Sequence, residues 1–188
     1  MNGKSPQRRS FAVSHNRNIA LLAELLLLFA GGVLAAVLHA KLRIPLNTPG
    51  HHGLEFMAIY VLIRMASNVR YAASMATLGT GIALLIPGIG ASDPLHSFSY
   101  LLPGIVLDLL YPYVSKKNFR WLTIILLAGM AYASIPMSRL MVNLASGYTY
   151  MAFVKYGALY TILSFFFFGM MGGMLGLGMD KARSLFNK

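Results

Sequence analysis

The segment Pro49-Gly50-His51-His52-Gly53-Leu54-Glu55 gathers more reactive side chains than any other stretch of this chain. Histidine is the commonest metal ligand, and Glu55 adds a carboxylate. Adjacent histidines diverge, so one ion would need further ligands; His39 and His96 fall on the same side of the chain's layout and are the available ones. A zinc site wants three or four convergent donors. Three uses of the segment are open: a metal site, a loop whose polar side chains cover and hydrogen-bond a ligand, or a solvated turn.

Four other ionisable residues lie within or beside apolar runs: Glu24, Asp108, Arg139 and Lys155. Ionisable groups at membrane depth are costly and are functional candidates by default. Arg139 and Lys155 are two cations at one level, able to hold an anionic group such as a carboxylate by charge-assisted hydrogen bonds; snorkelling to the interface is the alternative, above all for Lys155. Pro136 precedes Arg139 by one turn and removes a backbone hydrogen bond there. With Asn47, His51, His52, Glu55, His96 and Asn143, these two cations form the candidate substrate-binding set. Asp108 suits a structural ion pair with Arg64, Arg70 or Lys116, and Glu24 suits a structural contact or one with another protein.

Catalysis finds no motif. H-E-x-x-H, G-x-S-x-G and Ser-x-x-Lys are absent, as is the phosphate loop G-x-x-x-x-G-K-[ST], and there are no cysteines. No enzyme activity and no cofactor are expected.

The elements that must position these residues follow from composition. Of 188 residues, 57% are hydrophobic and 11% charged, where a soluble domain carries about 25% charged. The apolar runs predict an all-α, six-helix transmembrane bundle with helices at about 19–40, 54–68, 71–89, 95–114, 119–143 and 152–179. Residues 1–18 and 181–188 are read as basic cytoplasmic tails around one membrane domain, 19–180. Twelve of the 16 Lys and Arg (Lys4, Arg8, Arg9, Arg17, Arg64, Arg70, Lys116, Lys117, Arg120, Lys181, Arg183, Lys188) fall in alternate gaps. That excess puts both termini in the cytoplasm and assigns the net charge of +11 to topology rather than to nucleic acid.

Small residues recur every four positions: Gly32, Ala36 and Ala40; Ala72, Ala76 and Thr80; Gly169 and Gly173, with Gly172 and Gly176. Such stripes let helix backbones approach where hydrophobicity cannot drive association, either within the bundle or against a partner membrane protein.

Several stretches together resemble the substrate-binding S component of an energy-coupling factor (ECF) transporter. They are the opening Arg17-Asn18-Ile19-Ala20-Leu21-Leu22-Ala23, the Arg43-Ile44-Pro45-Leu46 exit from helix one, Tyr71-Ala72-Ala73 through Gly79 and Gly81, Pro103-Gly104-Ile105-Val106-Leu107-Asp108-Leu109-Leu110-Tyr111, and Gly169 to Gly178 followed by Lys181 and Arg183. The resemblance implies a multi-pass protein of a prokaryotic inner (plasma) membrane. It would capture a vitamin or similar trace nutrient at the outer face, and import would be driven by a transmembrane coupling protein and two cytoplasmic ATPases. The family's Ala-x-x-x-Ala docking motif maps onto Ala20, with Glu24 at the second alanine's place, so Ala20, Ala23 and Glu24 are the coupling surface it implies. A histidine-containing membrane metal protein or enzyme, built on His39, His51, His52 and His96, and a ligand-free scaffold are the rival readings.

Overall fold

The computed structural model describes residues 7–42, 47–89, 94–114 and 120–186; side chains are described from residue 17 onwards, apart from those of 94–96. Arg43 to Leu46, Lys4, Lys116, Lys117 and Lys188 of the sequence argument lie outside these residues, as do the side chains of Arg8, Arg9 and His96. The described chain is nearly all helix: α1 (Gln7–Leu42), α2 (Gly53–Ala66), α3 (Ala72–Leu84), α4 (Pro94–Ser99), α5 (Leu102–Val114), α6 (Arg120–Ser146), α7 (Met151–Tyr156) and α8 (Ala158–Phe186).

The boundaries depart from the sequence expectation in four places. Helix α1 begins within the stretch expected to be a tail. The expected 95–114 helix is broken at Tyr100-Leu101, because Pro103 has no N–H to continue the turn and disfavours helical backbone just before it. The expected 152–179 helix is broken at Gly157, whose φ of 82° ends α7 in a region that L side chains avoid. Helix α3 stops at Leu84, short of the Pro87-Gly88 pair.

Among the described residues, four segments are long and apolar enough to cross a membrane: Arg17–Leu42, Ser97–Val114, Arg120–Ser146 and Ala158–Phe186. Their outer faces are apolar, with Leu26, Leu27, Leu159 and Phe167 all more than half exposed. Helices α2 and α3 are shorter, at 14 and 13 residues, about 21 and 20 Å at 1.5 Å per residue against a hydrocarbon core of about 30 Å. Both are enclosed. Helix α2 packs on α8 and α1, α3 on α1 and α5, and α6 joins α5 to α8. The core forms around Phe56, Met57, Tyr60, Ala76, Leu107, Ala128, Tyr132 and Ile135.

The small-residue stripes pair within this bundle. A Cβ on Gly32 would lie 1.7 Å from the Ala76 carbonyl oxygen, and one on Gly79 2.1 Å from that of Phe29, so α1 and α3 touch backbone to backbone. Helix α8 uses two glycine faces. Gly172 and Gly176 abut the Gly53 and Ala58 carbonyls of α2, while Gly169 and Gly173 abut Ala128 of α6. Across the α1–α3 crossing, the Tyr60 hydroxyl donates to Thr80 Oγ1 (2.8 Å), and the Thr80 hydroxyl donates to the Gly32 carbonyl (2.8 Å).

The start of α1, the end of α2 and the start of α3 share one end of the bundle. There Ser67 Oγ donates to Glu24 at 2.6 Å and Arg64 pairs with Asp108 at 3.4 Å. Asp108 takes the structural role expected of it, with Arg64 as partner among the three candidates. Ala20 and Ala23 are exposed near this end, and Glu24 is half-buried.

Candidate functional site

The opposite end gathers polar side chains from five helices. Helix α1 brings His39, the start of α2 brings His51, His52 and Glu55, α4 brings Ser97, α6 brings Tyr132 and Arg139, and the approach to α7 brings Tyr150. Tyr100 joins them from the α4–α5 break.

Local sequence explains the α2 entry. Gly50, at φ 81°, turns the chain so closely over Phe165 that a Cβ would sit 2.4 Å from its ring; a Cβ on Gly53 would sit 2.4 Å from the Tyr132 ring. Tyr132 and Phe165 stack at 4.9 Å and form the platform on which this turn rests. Ser164 Oγ donates to the Pro49 carbonyl (2.6 Å), Tyr156 donates to the Asn47 carbonyl (2.7 Å), and His51 Nδ1 donates to the Thr48 carbonyl (2.7 Å). Both glycines of the Pro-Gly-His-His-Gly run are therefore fixed by packing.

The histidines and the acid come together. The His39 and His52 rings meet edge-on at 3.9 Å, and those of His51 and His52 are 3.7 Å apart. His39 Nδ1 lies 3.9 Å from Glu55 Oε2. Glu55 is only 9% exposed, and neither of its oxygens has a hydrogen-bond partner; His39 Nδ1, Thr48 Oγ1 and Ser97 Oγ are likewise buried without one. Buried polar groups are normally satisfied, so this concentration at one end of an apolar bundle is unusual. Among the described residues, no group of three or more His, Asp or Glu side chains is arranged to hold a metal ion.

Arg139 is buried too, at 8% exposure, with its guanidinium carbon 5.6 Å from the Tyr150 ring centroid. Phe56 links Tyr100 to the histidines, with ring centroids 5.2 Å from both His39 and Tyr100. A cavity of about 210 Å³ opens between Phe98, Ser99, Leu102, Ser138, Val142 and Tyr150; Arg139 does not line it.

The remaining candidates sit apart. Lys155 is exposed on α7, its ammonium 4.9 Å from the ring of its neighbour Tyr156. The Asn143 side chain donates to the Tyr148 carbonyl (2.8 Å) and braces the turn after α6. Asn47 is exposed and enters through its backbone carbonyl. The His96 side chain is outside the described residues.

Sequence reasoning missed Tyr100, Tyr132, Tyr150, Thr48 and Ser97. One signal was present: Tyr132 and Arg139 are seven residues apart, two helical turns on one face of α6. Compared with known proteins, the chain matches no family model, and no curated protein or solved structure matches it significantly.

Proposed function

We propose that this chain is the ligand-binding membrane subunit of an ECF-type importer, capturing a vitamin or similar trace nutrient at the end formed by His39, His52, Glu55 and Arg139. The observation that carries the reading is Glu55, a buried carboxylate with no hydrogen bond to either oxygen. An ionised carboxylate in that position is penalised by several kcal/mol, and a ligand N–H or ammonium group would offset the penalty. Arg139, at the same end, suits an acidic group on the same molecule.

The basic residues support the orientation. Arg64, Arg70, Arg120, Lys181 and Arg183 lie on helix ends or turns away from the Glu55 end, the distribution that an outer Glu55 end calls for. The lack of a phosphate loop in the sequence fits a reading in which ATP hydrolysis belongs to partner subunits.

Native mass spectrometry of the protein purified in mild detergent tests this reading. The wild type should carry a nutrient-sized adduct. Glu55→Gln and Arg139→Gln should each lower its occupancy at least tenfold, and Lys155→Ala should leave it unchanged. An adduct indifferent to both buried substitutions would refute the site.

A further inference from the structure

We propose that the groove between the ends of α2 and α8 and the start of α6 is a binding site for one anionic phospholipid. The groove encloses about 490 Å³ at the Arg64–Asp108 end of the bundle, far from Glu55. Met65, Trp121, Ile125, Met174 and Leu177 line its apolar part, and Asp180, Lys181 and Ser184 line its polar part.

Two independent features point to that occupant. The first is Gly178. Helix α8 contains five glycines, and a Cβ at Gly169, Gly172, Gly173 or Gly176 would come within 3 Å of a neighbouring helix, whereas a Cβ at Gly178 meets nothing within 4 Å. Glycine inside a helix is unfavourable relative to alanine. Four of these glycines are explained by close helix contact. The fifth lines the groove and leaves it open.

The second is the arrangement of charge and depth. Asp180 is paired with Arg183 at 3.0 Å, and among the described residues Lys181 has no acidic partner, so the groove's unbalanced charge is positive. Trp121, the chain's single tryptophan, stands more than half exposed in the first turn of α6, beside Arg120. Tryptophan and basic residues mark the membrane–water boundary. The groove thus runs from headgroup level, at Lys181 and Ser184, into apolar depth at Met174 and Leu177. A phospholipid has that same order of chemistry, and basic pockets between membrane helices select anionic headgroups.

The test adds phosphatidylglycerol, or phosphatidylcholine with the same acyl chains, to the detergent-purified full-length protein and counts retained lipids by native mass spectrometry. Wild type should retain one phosphatidylglycerol at least fivefold more than phosphatidylcholine. Gly178→Leu, which fills the groove, should lower phosphatidylglycerol retention at least fivefold, and Lys181→Gln should bring the two lipids level. Lys155→Ala, at the far end, should change neither. If Gly178→Leu lowers the melting temperature, Lys181→Gln alone decides. Equal retention of the two lipids by wild type would overturn the proposal, as would a phosphatidylglycerol preference surviving Lys181→Gln. So would a co-purifying protein that Gly178→Leu displaces while lipid retention stays unchanged.

Discussion

Asp108 joins three helices through one carboxylate: Arg64 of α2 lies 3.4 Å from Oδ1, and the backbone N–H groups of Ala73 and Ser74, opening α3, donate to its two oxygens at 3.2 and 2.6 Å. The Asp108 side chain is 1% exposed and that of Arg64 11%. The acid therefore satisfies the first turn of α3, which has no side-chain cap of its own, and neutralises a cation above it. Removing one member of a buried pair costs about 3–5 kcal/mol. Asp108→Ala should lower unfolding stability by that order, measured by reversible denaturation in detergent. Asp108→Asn, which keeps one acceptor, should lose less.

The glycine contacts separate two kinds of position on one helix. Gly172→Ala forces a methyl to within 2.3 Å of the Gly53 carbonyl and should destabilise by about 1–3 kcal/mol. Gly178→Ala meets no neighbour and should stabilise by up to about 1 kcal/mol through helix propensity. Melting temperatures of the two variants should move in opposite directions; a shift in the same direction would contradict the close α2–α8 approach.

The Tyr60–Thr80–Gly32 chain is asymmetric. Tyr60→Phe removes one donor and leaves Thr80 still bonded to Gly32, a loss of about 1 kcal/mol. Thr80→Val strands the buried Tyr60 hydroxyl and should cost more, about 1–3 kcal/mol. Comparing the two unfolding free energies checks the direction of the chain.

At the same end as Asp108, Ser67 Oγ donates to Glu24 and accepts from the Val69 N–H at 3.0 Å, tying α1 to the turn between α2 and α3. A hydrogen bond to a charged group contributes about 1.5–3 kcal/mol. A double-mutant cycle on Glu24→Gln and Ser67→Ala should therefore show strong coupling in stability. Independent effects would detach Glu24 from this structural role and leave contact with another protein as its use.

Much of this architecture was legible in the chain. The apolar runs located the long helices, the basic gaps agreed with the end where Arg64 meets Asp108, and the spacing of Gly32, Ala76 and Gly172 anticipated the tight crossings. Two things were not legible. Hydrophobic pattern cannot register a break such as Gly157, because the residues on either side remain apolar, so the short helix α7 that carries Lys155 is not visible in it. Nor can a one-dimensional reading tell which tyrosines turn inward. Tyr100 and Tyr132 look like ordinary membrane aromatics until α2 is known to run through the middle of the bundle.

The shortness of α2 has an electrical meaning. Glu55 and Arg64 are nine residues apart on α2, about 14 Å of rise, so with Arg64 at one membrane surface Glu55 stands about 16 Å from the other. In a bilayer, the Glu55 carboxylate would then stand inside the transmembrane potential drop, by about half of the hydrocarbon thickness. A unit charge there would experience about 1.2 kcal/mol per 100 mV, half of the full-span value, or about sevenfold in affinity. If the proposed charged ligand binds at Glu55, its occupancy should differ between vesicles polarised in the two senses, and Glu55→Gln should lower occupancy in both.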